Sequence, residues 1–245
     1  MKTIAGLQRA DEGTILFNDK DVLIDTAEIQ KHLGFLPQDF GVYPKVSAYD
    51  LLNHIAILKG VSDKKKRNEQ ILELLNKVNL YEQKNREVNT FSGGMKQRFG
   101  VAQALLGNPK IILVDEPTAG LDPEERNRFN LLLTGISKEM IVVLSTHLVE
   151  DVKNLCEKMA IVKNGKIISF GKPVELVSQL KGKVWTKLIS VNELPIYQSS
   201  KNIISYQFLE GNIQLVVYAE QAIKNFDSTQ PTLEHFYFHT LNNQL

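Results

Sequence analysis

Cysteine is almost missing from this chain: Cys156 is the single one in 245 residues. An intrachain disulfide framework is therefore excluded, and the composition suits a reducing compartment. A surplus of either charge is missing too. Twenty-nine Lys and Arg stand against 28 Asp and Glu, a formal net charge of +1. That balance argues against a dedicated binder of nucleic acid or anionic lipid. No apolar run approaches the roughly 18 residues of a membrane-crossing helix. The opening Met1-Lys2-Thr3-Ile4-Ala5-Gly6 has no apolar signal core, so any membrane association is expected to come through a partner. Internal repeats and low-complexity segments are also lacking. What remains is an ordinary globular composition, 43% hydrophobic and 23% charged, at a length suited to one large domain or two small ones.

Apolar spacing divides the chain. Met1, Ile4 and Leu7 read as the end of a helix stopped at Gly6. Residues 14–17 and 33–36 read as strands, the second ended by Pro37. Helical spacing runs from 50 to 59 and from 68 to 78. Ser92 caps a further helix, which Gly107-Asn108-Pro109 stops. The runs Ile111-Ile112-Leu113-Val114 and Ile141-Val142-Val143-Leu144 are continuous rather than alternating, the pattern of parallel strands buried on both faces. Residues 123–133 supply the crossover helix between them. A hairpin over 160–168 and a short helix over 173–180 follow. After Lys181-Gly182-Lys183 three strand patterns and a helix over 232–241 suggest a small separate α+β unit.

Four places carry chemistry. Asp115-Glu116 emerges at the carboxyl end of the first apolar run, where open α/β sheets place their ligands. Asp115 suits Mg²⁺, which keeps many waters and few protein carboxylates; Glu116 could polarise an attacking water. Ser92-Gly93-Gly94 opens a helix with exposed backbone N–H groups, a ready anion site, and the Ser92 hydroxyl can donate to a phosphate oxygen. Gln38 follows a strand and a proline, so its amide could reach a metal or a nucleophilic water. His147 follows the second apolar run through Ser145-Thr146 and could donate to a γ-phosphate.

In this order and spacing the set resembles the ATP-binding cassette (ABC) ATPases, over roughly residues 1–175. Gln38 matches the family's Q-loop and Ser92-Gly93-Gly94-Met95-Lys96-Gln97-Arg98 its signature motif. Ile111 to Glu116 match Walker B, Gly120-Leu121-Asp122 the D-loop, and His147 the switch histidine. The resemblance implies an α/β fold: a P-loop NTPase-type parallel-sheet core with an inserted helical subdomain at about 45–107. The ABC domain would occupy 1–180 and a small α+β accessory domain 181–245. It implies ATP and Mg²⁺ as cofactors. Catalytic roles fall to Glu116, His147 and Gln38; nucleotide binding to Ser92, Gly93, Gly94, Gln97 and Asp122; metal binding to Asp115 and Gln38. The implied partners are a transmembrane permease subunit and a second nucleotide-binding subunit, with no nucleic acid. The implied location is cytoplasmic, at the inner face of the membrane. Ala119-Gly120-Leu121-Asp122 and the tail ending in Pro231-Thr232-Leu233-Glu234 resemble exporter types.

The departure is at the front. The phosphate-cradling G-x-x-x-x-G-K-[ST] occurs nowhere in the sequence, and the opening residues resemble the stretch that follows it in the family. Truncation at the N-terminus is the expectation, with poor ATP hydrolysis by the chain as written. A non-catalytic accessory subunit lending only its signature motif is one alternative. A soluble ABC ATPase acting on DNA or ribosomes is another; a single cassette, one cysteine and no heptad run count against it.

Other features read as structural. Lys64-Lys65-Lys66-Arg67 is expected to be a solvated loop. His235 and His239 have metal-binding spacing without a following glutamate. Cys156 is expected on a helix as a small core residue, and Trp185 within the packing of the tail. Phe40, Val42 and Tyr43 are candidate apolar contacts for a membrane partner.

Overall fold

The computed structural model describes residues 1–41, 44–198 and 202–242; Val42 and Tyr43 lie outside them. The chain forms two compact units, Met1–His147 and Leu148–Leu245.

The first unit contains β1 (Leu16–Phe17), β2 (Lys20–Asp21), α1 (Thr26–His32), β3 (Leu33–Leu36), α2 (Ala48–Leu58), α3 (Lys64–Lys77), α4 (Gly93–Leu105), β4 (Ile111–Asp115), α5 (Pro123–Ser137) and β5 (Ile141–Ser145). The opening residues form turns, not a helix, yet they close as a helix end does. Leu7 N–H donates to Lys2 O at 2.9 Å and Gly6 N–H to Thr3 O at 3.1 Å, with Gly6 at φ +73°. This is the paired bonding of a Schellman motif. α1 escapes sequence reading because only Ile29 is buried in it; the Asp25 side chain caps it by accepting from Ala27 N–H at 3.0 Å.

β3, β4 and β5 form a parallel sheet in that order, with Leu36 opposite Val114 and Asp115 opposite Ser145. Ile112, Leu113 and Val114 of the central strand are buried. β5 departs from the expectation of burial on both faces: Ile141 is 61% and Val143 39% exposed. Ile141 and Val143 alternate with Val142 and Leu144, so one face of β5 stays uncovered, and among the described residues the strand also has a single strand neighbour.

α4 lies hard against β3. A Cβ on Gly34 would come within 2.3 Å of the Ala104 carbonyl oxygen, so only glycine permits this approach. One turn nearer the start of α4, a Cβ on Gly100 would meet the Phe40 ring at 2.7 Å. Phe40 is therefore half-buried against the helix rather than displayed as a partner contact.

α2, α3 and α4 pack against one another, with Leu52, Ile71, Leu75 and Phe99 buried and the Phe91 and Phe99 rings edge to face. Lys64–Arg67 is the first turn of α3, not a loop. Asp63 caps it through Lys65 N–H and Lys66 N–H, which offsets four cations at a helix start. Arg67 is buried, bonded to Asn53 Oδ1 at 2.7 Å and to the Val61 and Ser62 carbonyls. At the far end of α4 the Lys59 ammonium donates to the Gln103, Ala104 and Leu106 carbonyls, at 3.1 to 3.2 Å. It closes the helix's unpaired C-terminus.

The second unit contains α6 (Val149–Leu155), β6 (Met159–Lys163), β7 (Lys166–Gly171), α7 (Pro173–Ser178), β8 (Val184–Ile189), α8 (Leu194–Gln198), β9 (Ile203–Leu209), β10 (Asn212–Tyr218), β11 (Asp227–Ser228) and α9 (Leu233–Asn242). β6 and β7 make a hairpin about Asn164-Gly165, both at positive φ. The larger sheet is antiparallel, in the order β11-β8-β10-β9. Strand alternation puts Ile189, Ile213, Leu215 and Val217 on one face, with Trp185 packed beside them. Val184, Val216 and Ile204 lie on the other, under Phe236 of α9. Trp185 Nε1–H donates to Ala219 O at 3.1 Å. Cys156 is half-buried just past α6 rather than within a core. His235 and His239 have separate duties: the first accepts from Thr232 N–H, the second stacks on Tyr218.

Candidate nucleotide and metal site

The parallel register of β4 and β5 assembles one cluster. Asp115, the last residue of β4, sits opposite Ser145, whose hydroxyl donates to Asp115 Oδ1. The chain then turns sharply. Glu116 takes φ +46°, a left-handed conformation that costs a side-chain-bearing residue roughly 1 kcal/mol. Two backbone bonds hold it there, Glu116 N–H to Ser145 O at 3.0 Å and Ala119 N–H to Glu116 O at 3.3 Å. The turn aims the Glu116 side chain at His147, with Nδ1 2.7 Å from Oε2. Glu116 is 23% exposed and His147 66%, so the pair is open on the imidazole side.

A second cluster joins the starts of α4 and α5. Ser92 caps α4, accepting from Met95 N–H at 3.3 Å and keeping its own hydroxyl hydrogen to donate outward. The two glycines that follow differ. Nothing lies within 4 Å of the position a Cβ would take on Gly93, whereas on Gly94 it would fall 2.2 Å from Glu125 Oε2. Gly93 keeps an open approach, but Gly94 is buried beneath Glu125. That carboxylate also lies 3.6 Å from Arg98 Nε and 3.0 Å from Arg128. Asp122 caps α5 by accepting from Glu125 N–H at 2.8 Å. Glu125 is the residue that sequence reasoning missed. Its signal was the acid three places after a capping aspartate, Asp122-Pro123-Glu124-Glu125.

Gln38 is exposed just beyond β3, and its backbone oxygen accepts from Gln97 Nε2 at 3.4 Å. The other amide atom, Gln97 Oε1, is buried with no hydrogen-bond partner among the described residues. The fold thus brings Asp115, Glu116 and His147 together, ties Gln97 to Gln38, and joins Ser92, Gly93 and Gly94 to Asp122 through Glu125.

No group of three His, Cys, Asp or Glu side chains converges among the described residues. The donor set at Asp115, a carboxylate with one oxygen already held, fits Mg²⁺ arriving with phosphate and water rather than a metal caged by protein. A family model described as ABC transporter matches residues 1–119.

The chain carries an ABC transporter ATP-binding domain. It is 37% identical over 194 residues to the ABC transporter ATP-binding protein YxlF of Bacillus subtilis, covering 79% of this chain and 63% of that protein. It is 32% identical over 182 residues to the linearmycin resistance ATP-binding protein LnrL of the same species, covering 73% and 58%. To the methionine import ATP-binding protein MetN of Clostridium tetani it is 33% identical over 202 residues, covering 79% and 62%. The matches span 58 to 63% of the length of these relatives. Among solved structures it resembles the ATP-binding cassette MJ0796 in a dimeric post-hydrolysis state bound to ADP and Pi. The TM-score is 0.61 at 27% identity, over 70% of this chain and 78% of that one. The α/β parallel-sheet fold expected for an ABC ATPase is the fold observed.

Proposed function

We propose that this chain serves as the nucleotide-binding subunit of an ABC transporter of exporter type, coupling ATP hydrolysis to movement of a substrate through a separate permease. The observation that carries the reading is the 2.7 Å contact of Glu116 with His147 beside Asp115, at the carboxyl end of the central strand. Asp115, with one oxygen fixed by Ser145, would hold Mg²⁺ with help from Gln38; the ion supplies neutralisation of phosphate charge. Glu116 would take the proton of an attacking water, with His147 fixing its carboxylate. Ser92 and Gly93 would meet the nucleotide of a second subunit, with Gly94, Gln97 and Asp122 shaping that surface. By resemblance the ABC domain would run over 1–180 and an accessory domain over 181–245, although residues 148–180 share a compact unit and a core with the tail. No helix among the described residues is long and apolar enough to cross a membrane, so attachment at the cytoplasmic face would run through the permease.

Two observations favour second readings. The sequence holds no G-x-x-x-x-G-K-[ST] while Ser92-Gly93 stays open, which suits an accessory subunit lending its signature motif. The likeness to MetN suits import, as that to LnrL suits export. Phosphate release from the 245-residue chain is expected to be weak. The same chain joined to an upstream segment bearing the phosphate loop should hydrolyse ATP, and Glu116→Gln should stop it. Equal turnover with and without the segment would overturn the need for the loop, and turnover untouched by Glu116→Gln the role of that residue. Substrate flux into or out of vesicles carrying the permease then fixes direction.

A further inference from the structure

The antiparallel sheet of the second unit is covered unevenly by α9. Cross-strand partners share a face, so Ser205, Val216 and Thr186 form one row and Gln207, Gln214 and Leu188 the next. Phe236 packs on the row that holds Val216. Past it, α9 and the sheet part to leave a cavity of about 910 Å³, within the size range of small-molecule sites.

Its floor is polar where a packed sheet face would be apolar. Gln207 Nε2 donates to Gln214 Oε1 at 2.6 Å, which orients both amides and leaves the Gln207 oxygen and Gln214 nitrogen for another partner. The roof comes from residues one helical turn apart on α9, Glu234, Phe238 and Asn242. His235 also lines it. Its Nδ1 accepts from Thr232 N–H, so the proton of the neutral ring sits on Nε2, and burial holds the imidazole below its ordinary pKa. The described lining therefore has one carboxylate, amides, hydroxyls, the Tyr206 and Phe238 rings and the apolar Ile203, Ile204 and Val216, and neither lysine nor arginine.

We propose that this cavity binds a small organic cation, an ammonium group on an aromatic or apolar body. The ammonium would pair with Glu234 and donate to the Gln207 oxygen, while the body lies against Phe238. An anion of the same shape would meet the Glu234 charge with no cation among the described lining residues to offset it. This proposal is independent of ATP hydrolysis, since all the residues it uses belong to the second unit.

The test titrates the 245-residue chain with phenethylammonium and, separately, with 3-phenylpropionate, following ligand signals by saturation-transfer NMR. Phenethylammonium should bind and 3-phenylpropionate should not. Glu234→Gln, at an exposed position, should weaken the ammonium about tenfold. Gln207→Trp, also exposed, should remove the amide oxygen and crowd the floor beside Gln214, weakening the ammonium about tenfold, with circular dichroism confirming that both variants fold. Absence of ammonium binding, equal binding of the carboxylate, or binding indifferent to both substitutions would overturn the proposal.

Discussion

The imidazole of His147 is hydrogen-bonded to the carboxylate of Glu116, Nδ1 to Oε2 at 2.7 Å, across 31 residues of sequence. Parallel pairing of Asp115 with Ser145 makes that contact, because it sets the ends of β4 and β5 level. If Glu116 is the proton acceptor and His147 orients it, both side chains act in one step. Glu116→Gln and His147→Ala, each in the chain carrying an upstream phosphate loop, should lower turnover by about a hundredfold or more. The double variant should be little worse than either single one. Phosphate-release rates check this, and independent, multiplying losses would separate the two residues.

Gly93 and Gly94 are neighbours with opposite surroundings. Gly94→Ala should displace Glu125 from between Arg98 and Arg128 and destabilise the fold by about 1–2 kcal/mol, whereas Gly93→Ala should stay within about 0.5 kcal/mol. Urea midpoints measure both. Adding Glu125→Ala should relieve much of the Gly94→Ala loss, because the blocking atoms are then gone.

Lys59 carries a pH signature. The residue as a whole is exposed, yet burial of its ammonium lowers its pKa from 10.5 to about 8, in spite of the three carbonyls that accept from it. Between those two values the unfolded chain holds more protons than the folded one, so stability attributable to this group rises with pH across that window. The cost of enclosing the charge is fully present below pH 8. Exposure of the residue keeps the excursion small. Lys59→Met should remove the rise, read as the difference in urea midpoint from the parent between pH 7.5 and 10.5, while losing the α4 closure at every pH.

β5 presents Ile141 and Val143 to solvent beside an edge that has no strand neighbour among the described residues. Such an edge templates association. The 245-residue chain should self-associate in a concentration-dependent way, seen by light scattering, and Val143→Lys should suppress it without lowering helix content.

Much of this was legible in the residue order. β4 announced itself through four apolar residues followed by two acids. α4 did so through Ser92 and its buried stripe, and the β6–β7 hairpin through Asn164-Gly165. α1 was not legible, since seven residues with one buried side chain give no periodicity. The exposed face of β5 was hidden for a different reason: a continuous apolar run says what a strand tolerates, not whether a helix covers each of its faces. Lys64–Arg67 read as a loop by charge alone, although Asp63 just before it was a usable cap. In the site, Asp115, Glu116 and His147 came from strand ends and motif order. The unequal burial of Gly93 and Gly94 needed coordinates, because it depends on where α5 lies.

The seat of Glu125 on Gly94 makes the first turns of α4 and α5 mechanically one piece. A displacement of the Ser92-Gly93 loop would therefore press Gly94 on the Glu125 carboxylate and, through it, on the Asp122 cap that holds the Glu125 backbone. A bulkier residue in place of Gly94 would act as a shim, and a shorter one in place of Glu125 would leave play. The stiffness of this linkage, rather than the presence of any single group, then decides how faithfully contact at one helix start is felt at the other.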